Sequence, residues 1–137
     1  MNPIIKNILA TIAALFAGGA VNMAIITISG SIIPPPEGAD VTTMEGLKAS
    51  IHLFEARHFI MPFLAHAMGT FVGALIISIL AANNKLKFAI GIATFNFLGG
   101  LIMVLSLDAP LWFEITDLLF AYLPMGFLAN KLASRKN

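Results

Sequence analysis

Residues 59–82 read FIMPFLAHAMGTFVGALIISILAA, a run without a single Lys, Arg, Asp or Glu and with His66 as its one imidazole. As a helix rising 1.5 Å per residue, a run of this length covers about 36 Å, more than the roughly 30 Å of a bilayer's hydrocarbon core. Its apolar residues come as a continuous block, not at the 3.6- or 2-residue period of an element with one wet face. The block therefore reads as a membrane span.

Three further blocks repeat the pattern, at about residues 8–33, 88–107 and 111–129. Composition agrees: 58% of the 137 residues are hydrophobic, only 11% are charged, and mean hydropathy is +0.91. A soluble domain carries about a quarter charged residues because its surface must face water. The sequence is thus expected to form a single membrane domain over residues 1–137, all-α, with four transmembrane helices in an antiparallel bundle. The first apolar block far exceeds the roughly 7–15 residues of a signal-peptide core, so it is expected to persist as a helix.

Charge gives the orientation. Lys6, Lys85, Lys87, Lys131, Arg135 and Lys136 fall at the N-terminus, in the second connection or at the C-terminus, and only Lys48 and Arg57 fall on the opposite side. The positive-inside rule makes the first side cytoplasmic, which implies an inner-membrane protein with both termini inside. All seven acids lie in the other half. A net charge of +1 offers no basic patch for nucleic acid, and the absence of cysteine removes disulfides, thiolate catalysis and cysteine-held metals. No cofactor is implied, and the lipid bilayer is the expected partner.

The connections are unequal. Asn83–Lys87 and Asp108–Pro110 are tight turns, with Pro110 suited to the first position of the fourth helix. The outer loop, residues 34–58, opens with Pro34-Pro35-Pro36, which ends the first helix. Thr42-Thr43-Met44-Glu45 reads as a capping box with Thr42 as N-cap. Met44, Leu47, Ile51 and Phe54 then form one apolar stripe, predicting a short amphipathic helix on the outer surface that runs into the second span. Pro62 is placed to bend that junction, and Pro124 to kink the fourth helix by freeing the carbonyl of Phe120.

Residues 59–74 of the quoted run, the outer loop, the Lys85–Phe88 turn and Ala121-Tyr122-Leu123-Pro124-Met125 resemble a family of small bacterial membrane proteins without an assigned activity. The resemblance implies a four-span layout and no catalytic residues.

Candidate functional residues follow from the cost of placing an ionisable group in lipid. His66 lies about eight residues into its span, roughly 12 Å along the axis, and should face the interior with a partner. Asp117 enters from the same side at matching depth, with Glu114 one turn shallower on the same face. The functional reading is a proton- or ion-linked site at His66, Asp117, Glu114 and Asn96. The plainer reading, and the preferred one, is a neutral histidine bonded to a carboxyl that ties two helices together. Asn22 and Asn96 are mid-span amides that need partners across helices.

Glu55-Ala56-Arg57-His58 contains Glu-x-x-His, with His52 one turn before. Di-iron bundles present such a pair on one face but need two of them plus two more carboxylates. Solvated charges on a surface helix are the better reading of His52, Glu55 and His58, with Arg57 pairing Glu114 or Asp117. The methionines form no cluster at helical spacing.

Ala10, Ala14 and Gly18 on the first helix, and Ala65, Gly69 and Gly73 on the second, are small-xxx-small faces that serve either internal packing or a homo-oligomer. Three functions stay open: a non-enzymatic accessory or scaffold subunit, an oligomeric transport or permeation subunit around His66 and Asp117, and a membrane-embedded metalloenzyme. They are preferred in that order. The permeation reading expects His66, Asp117, Asn96 and Asn22 on one continuous cavity.

Overall fold

The computed structural model describes residues 1–135, so Lys136, counted in the charge asymmetry, and Asn137 lie outside the described residues. Helix α1 spans Pro3–Ile32, α2 Met44–Ser50, α3 Ile60–Leu80, α4 Lys85–Ser106, α5 Leu111–Phe120 and α6 Leu123–Ser134. No strand occurs among the described residues. Four stretches are long and apolar enough to cross a membrane: α1, the turn from Ala56 together with α3, α4, and α5 with α6 taken across their break.

Local chemistry sets the ends. α1 starts five residues before the apolar block because Asn2 accepts from the Ile4 N–H at 2.8 Å and Pro3 occupies a first-turn position that needs no donor. It continues through Gly30 and stops at the triple proline. Pro36 and Gly38 make the next turn, the Ala39 N–H reaching the Pro36 carbonyl at 3.0 Å, with Gly38 at φ +82°.

The outer loop departs from the expected capping. Thr43, not Thr42, caps α2, accepting from the Gly46 N–H at 3.0 Å. Thr42 is unavailable because Asp40 takes both its hydroxyl, at 2.6 Å, and its N–H, at 2.9 Å. The amphipathic helix is also shorter than expected. It gives way to a tight 3-10 turn at Ile51–Leu53, Phe54 is extended, and a second such turn at Ala56–Phe59 leads into α3. Phe54 therefore leaves the helical stripe, and α2 does not run into the span. Pro62 sits in the first turn of α3 and leaves it a single helix.

Two other prolines differ from expectation. Pro110 is the cap of α5, not its first residue, its carbonyl receiving the N–H groups of Phe113 and Glu114. Pro124 divides the fourth span instead of merely kinking it. α5 ends at Phe120, Tyr122 turns out at φ −119°, ψ −83°, and α6 restarts at Leu123 with Pro124 in its first turn. The proline has no N–H for the Phe120 carbonyl, and its ring would collide with that carbonyl in a continuous helix.

α3 is the hub, packed on α1, α4 and α6, while α1 barely touches α4. The buried core is built from small residues: Ala10, Ala14, Ala74, Ala89 and Ala129 around Ile77 and Ile92. Backbones approach closely at Gly18, Gly69 and Gly73, so the small faces of α1 and α3 meet each other. The large apolar side chains point outward instead, with Phe16 77% and Leu105 81% exposed. That inversion suits a hydrocarbon surround, where dispersion between close backbones replaces the burial of large side chains.

Candidate functional site

Two helices and the break between α5 and α6 bring the central contact together. His66 projects from the second turn of α3, and its Nδ1 lies 2.9 and 3.1 Å from the two carboxylate oxygens of Asp117 on α5. Asp117 is 3% exposed. Its second oxygen also accepts from the Tyr122 hydroxyl at 2.8 Å. This last bond depends on the helix break. Residues five apart on a continuous helix point about 140° away from each other, whereas the turn at Tyr122 folds the phenol back over Asp117. Tyr122 is further stacked on His66 at 5.9 Å, meets Phe97 edge-on at 6.1 Å, and lies directly over the backbone of Gly100.

The contact constrains the histidine's chemistry. With Asp117 ionised the carboxylate only accepts, and the Nδ1 facing it then carries the hydrogen. In the neutral ring Nε2 then holds a lone pair. Nε2 has no protein partner among the described residues and is not enclosed by protein, whereas Nδ1 is fully engaged. The carboxylate thus orients the ring and, with the ring neutral, leaves Nε2 as a hydrogen-bond acceptor, as outer-sphere carboxylates do for other histidines.

His66 opens onto a groove of about 550 Å³ between α1 and α4, floored by α3. Asn22, Thr70, Asn96 and Tyr122 are its other polar lining groups, and Phe95, Leu98 and Ile102 form an exposed apolar rim on α4. Asn96 donates to the Thr70 hydroxyl at 3.0 Å. Asn22 makes no side-chain hydrogen bond among the described residues and faces the groove half-buried. The volume falls within the roughly 300–1,000 Å³ of small-molecule sites. Among the described residues, no Lys, Arg, Asp or Glu lines it.

The structure thus joins His66 to Asp117 and brings His66, Asn96 and Asn22 onto one cavity. Asp117 itself stays behind the imidazole, outside the lining. Glu114 is half-buried one turn away and takes no part in the contact. Arg57 does not reach Glu114 or Asp117. It pairs with Glu55 at 3.2 Å, both side chains largely exposed.

His58 is not a solvated group on a surface helix but lies buried in the 3-10 turn Ala56–Phe59, where it acts as a local cap. The Glu55 N–H donates to His58 Nδ1 at 2.8 Å, and the ring packs 5.5 Å from Phe54. His52 is exposed. No three His, Asp or Glu side chains among the described residues converge as a metal site would require. No hydroxyl among the described residues hydrogen-bonds to His66 Nε2.

Tyr122 and Thr70 were not singled out from sequence, nor was the buried pair Asn130–Ser78, joined at 3.1 Å. The available signal was that Tyr122 is the chain's single tyrosine, two residues before a mid-span proline. No protein-family model, curated protein or solved structure matches this chain.

Proposed function

We propose that the chain is a non-enzymatic accessory component of a bacterial inner membrane, four spans with cytoplasmic termini, which receives a bilayer-soluble small molecule in the groove at His66. The observation that carries this reading is the open Nε2 of an imidazole locked by Asp117 at the floor of an apolar-rimmed groove. In a bilayer the α1–α4 opening faces acyl chains, so a ligand enters sideways from the lipid.

Two observations support the spanning layout: the outward display of large apolar side chains and the one-sided placement of Lys and Arg. Reporter fusions at Lys85 should read cytoplasmic and fusions within residues 37–48 external; a cytoplasmic signal from the latter would overturn the layout. The groove is tested with a long-chain alcohol bearing a photoactivatable diazirine, dissolved in membranes holding the protein. Labelling should concentrate on groove residues such as Phe95 and Met103 and vanish in Gly99→Leu, a substitution with open space around its Cβ. Labelling spread evenly over the exposed faces of α1, α4 and α5 would refute the reading.

An oligomeric permeation subunit is the second reading, favoured by Asn22, His66 and Asn96 sharing one cavity. It requires a further copy to close the open side of the groove.

A further inference from the structure

We infer that the ligand of this groove is a neutral amphiphile whose head donates a hydrogen bond, of the phenol or quinol class, with its O–H on His66 Nε2. The inference rests on the groove reading above and specifies the occupant. Charge narrows the choice first. The lining holds no Lys or Arg, and a carboxylate stands directly behind His66. An anionic head would find no fixed cation and would face a negative charge, so fatty acids and phosphates are disfavoured. A cationic head would have to shed its hydration among Leu15, Ile92 and Phe95 without an acid in the lining to receive it.

Hydrogen-bond polarity narrows it further. Asp117 holds the hydrogen on Nδ1, so the neutral ring presents a lone pair to the groove. Asn96 directs one amide N–H at the Thr70 hydroxyl and keeps a carbonyl acceptor and a second N–H, while Thr70 keeps its own hydrogen. The Tyr122 hydrogen is spent on Asp117. His66 Nε2 is therefore the group that asks for a donor, and Asn96 and Thr70 can serve the lone pairs of the same oxygen. Asn22, on the α1 side, offers both a donor and an acceptor to a second oxygen. Space for a ring remains beside Gly19 on α1 and Gly99 on α4, where an added Cβ would meet nothing within 4 Å.

The test compares 4-nonylphenol with 4-nonylanisole, which differ by methylation of the one donor. Each is titrated as a mole fraction of lipid into nanodiscs holding the full chain, and the Met103 methyl resonance reports occupancy of the groove. Wild type should prefer the phenol by about tenfold, the worth of one hydrogen bond in a dry site. Asp117→Asn, whose amide can donate to Nδ1 and move the hydrogen to Nε2, should reduce that preference to near unity while the anisole affinity holds. Gly99→Leu should abolish binding of both.

A measurement on wild type alone guards against misfolding of the Asp117 variant. With ¹⁵N-histidine, His66 should show a protonated Nδ1 and a bare Nε2 whose resonance shifts on adding the phenol and not the anisole. A protonated Nε2 in the neutral ring would overturn the inference. Equal affinity for phenol and anisole would overturn the donor assignment and leave the groove reading standing. No response at Met103 to either probe, or responses indifferent to Gly99→Leu, would overturn both.

Discussion

Gly18 and Gly19 are neighbours on α1, and replacing each with alanine should change stability in opposite directions. A Cβ at Gly18 would stand 2.6 Å from the Gly69 carbonyl oxygen and 3.3 Å from the Gly73 Cα. Both obstacles are backbone, so no rotamer change relieves them. To regain ordinary contact at 3.4 Å, α1 and α3 must part by about 0.8 Å along a seam that includes Ala10 and Ala14. Overpacking of this kind costs about 1–3 kcal/mol, and a buried backbone-to-backbone clash belongs near the top of that range. The gain in helix propensity from Gly to Ala, about 1 kcal/mol, offsets part of it. Gly18→Ala should therefore lose about 2 kcal/mol.

At Gly19 nothing lies within 4 Å of the added Cβ. Only the propensity gain acts there, so Gly19→Ala should gain about 0.5–1 kcal/mol. The assay is reversible unfolding of the detergent-solubilised variants by SDS titration, followed by far-UV circular dichroism, with both alanines measured in one background. Gly73→Ala serves as an intermediate case, its Cβ meeting the Ala14 carbonyl at 3.0 Å and an Ile92 methyl at 3.2 Å. If Gly18→Ala proved as stable as Gly19→Ala, the two helices would not meet through Gly18 and the packing described for α1 would be wrong.

His66→Ala and Asp117→Asn should each destabilise the solubilised protein, and the double variant should cost about 1 kcal/mol less than their sum; strict additivity would mean the side chains do not meet. In the outer loop, the Thr42 hydroxyl and N–H hold the Asp40 carboxyl below the usual carboxylate range. Because the folded value is depressed, that contribution is complete above about pH 4 and is lost as pH falls through the lower, folded value. The Thr42 amide resonance should therefore titrate with a midpoint below that of a model aspartate and stop titrating in Asp40→Asn. A midpoint at or above the model value would contradict the Asp40–Thr42 pairing.

Much of the layout was legible because lipid imposes coarse rules. Four apolar blocks form four stretches long and apolar enough to cross a membrane, and His66 and Asp117, expected to find each other, do so. The rotation of each helix was not legible. A span apolar on every side carries no moment to say which face turns inward, so nothing in 88–107 announced that Phe95 and Ile102 would rim a groove. Competition within short segments was equally hidden. Thr42 and Thr43 offer the same hydroxyl one residue apart, and only the return of Asp40 through the Pro36–Gly38 turn decides which one caps α2. Glu55 and His58 have the spacing of metal ligands, yet a 3-10 turn uses that spacing to satisfy a backbone N–H.

The groove itself follows from where the smallest residues fall. α1 meets α3 through Ala14 and Gly18 against Gly69 and Gly73, and that seam sets α1 on one flank of the hub. α4 is drawn to the other side, where a Cβ on Gly126 would stand 2.7 Å from Ala93 Cβ and Gly100 accepts the Tyr122 ring against its backbone. Each close approach satisfies one helix with a different neighbour, which leaves α1 and α4 apart over the middle of α3. His66 sits at the foot of that gap. Its Nδ1 points toward α5, because the break before Pro124 lets Asp117 and Tyr122 close on it from behind. Its other nitrogen has no protein partner among the described residues. A continuous fourth helix would carry Tyr122 off Asp117 and free the ring to turn; the proline that divides α5 from α6 is thus what keeps the imidazole in place.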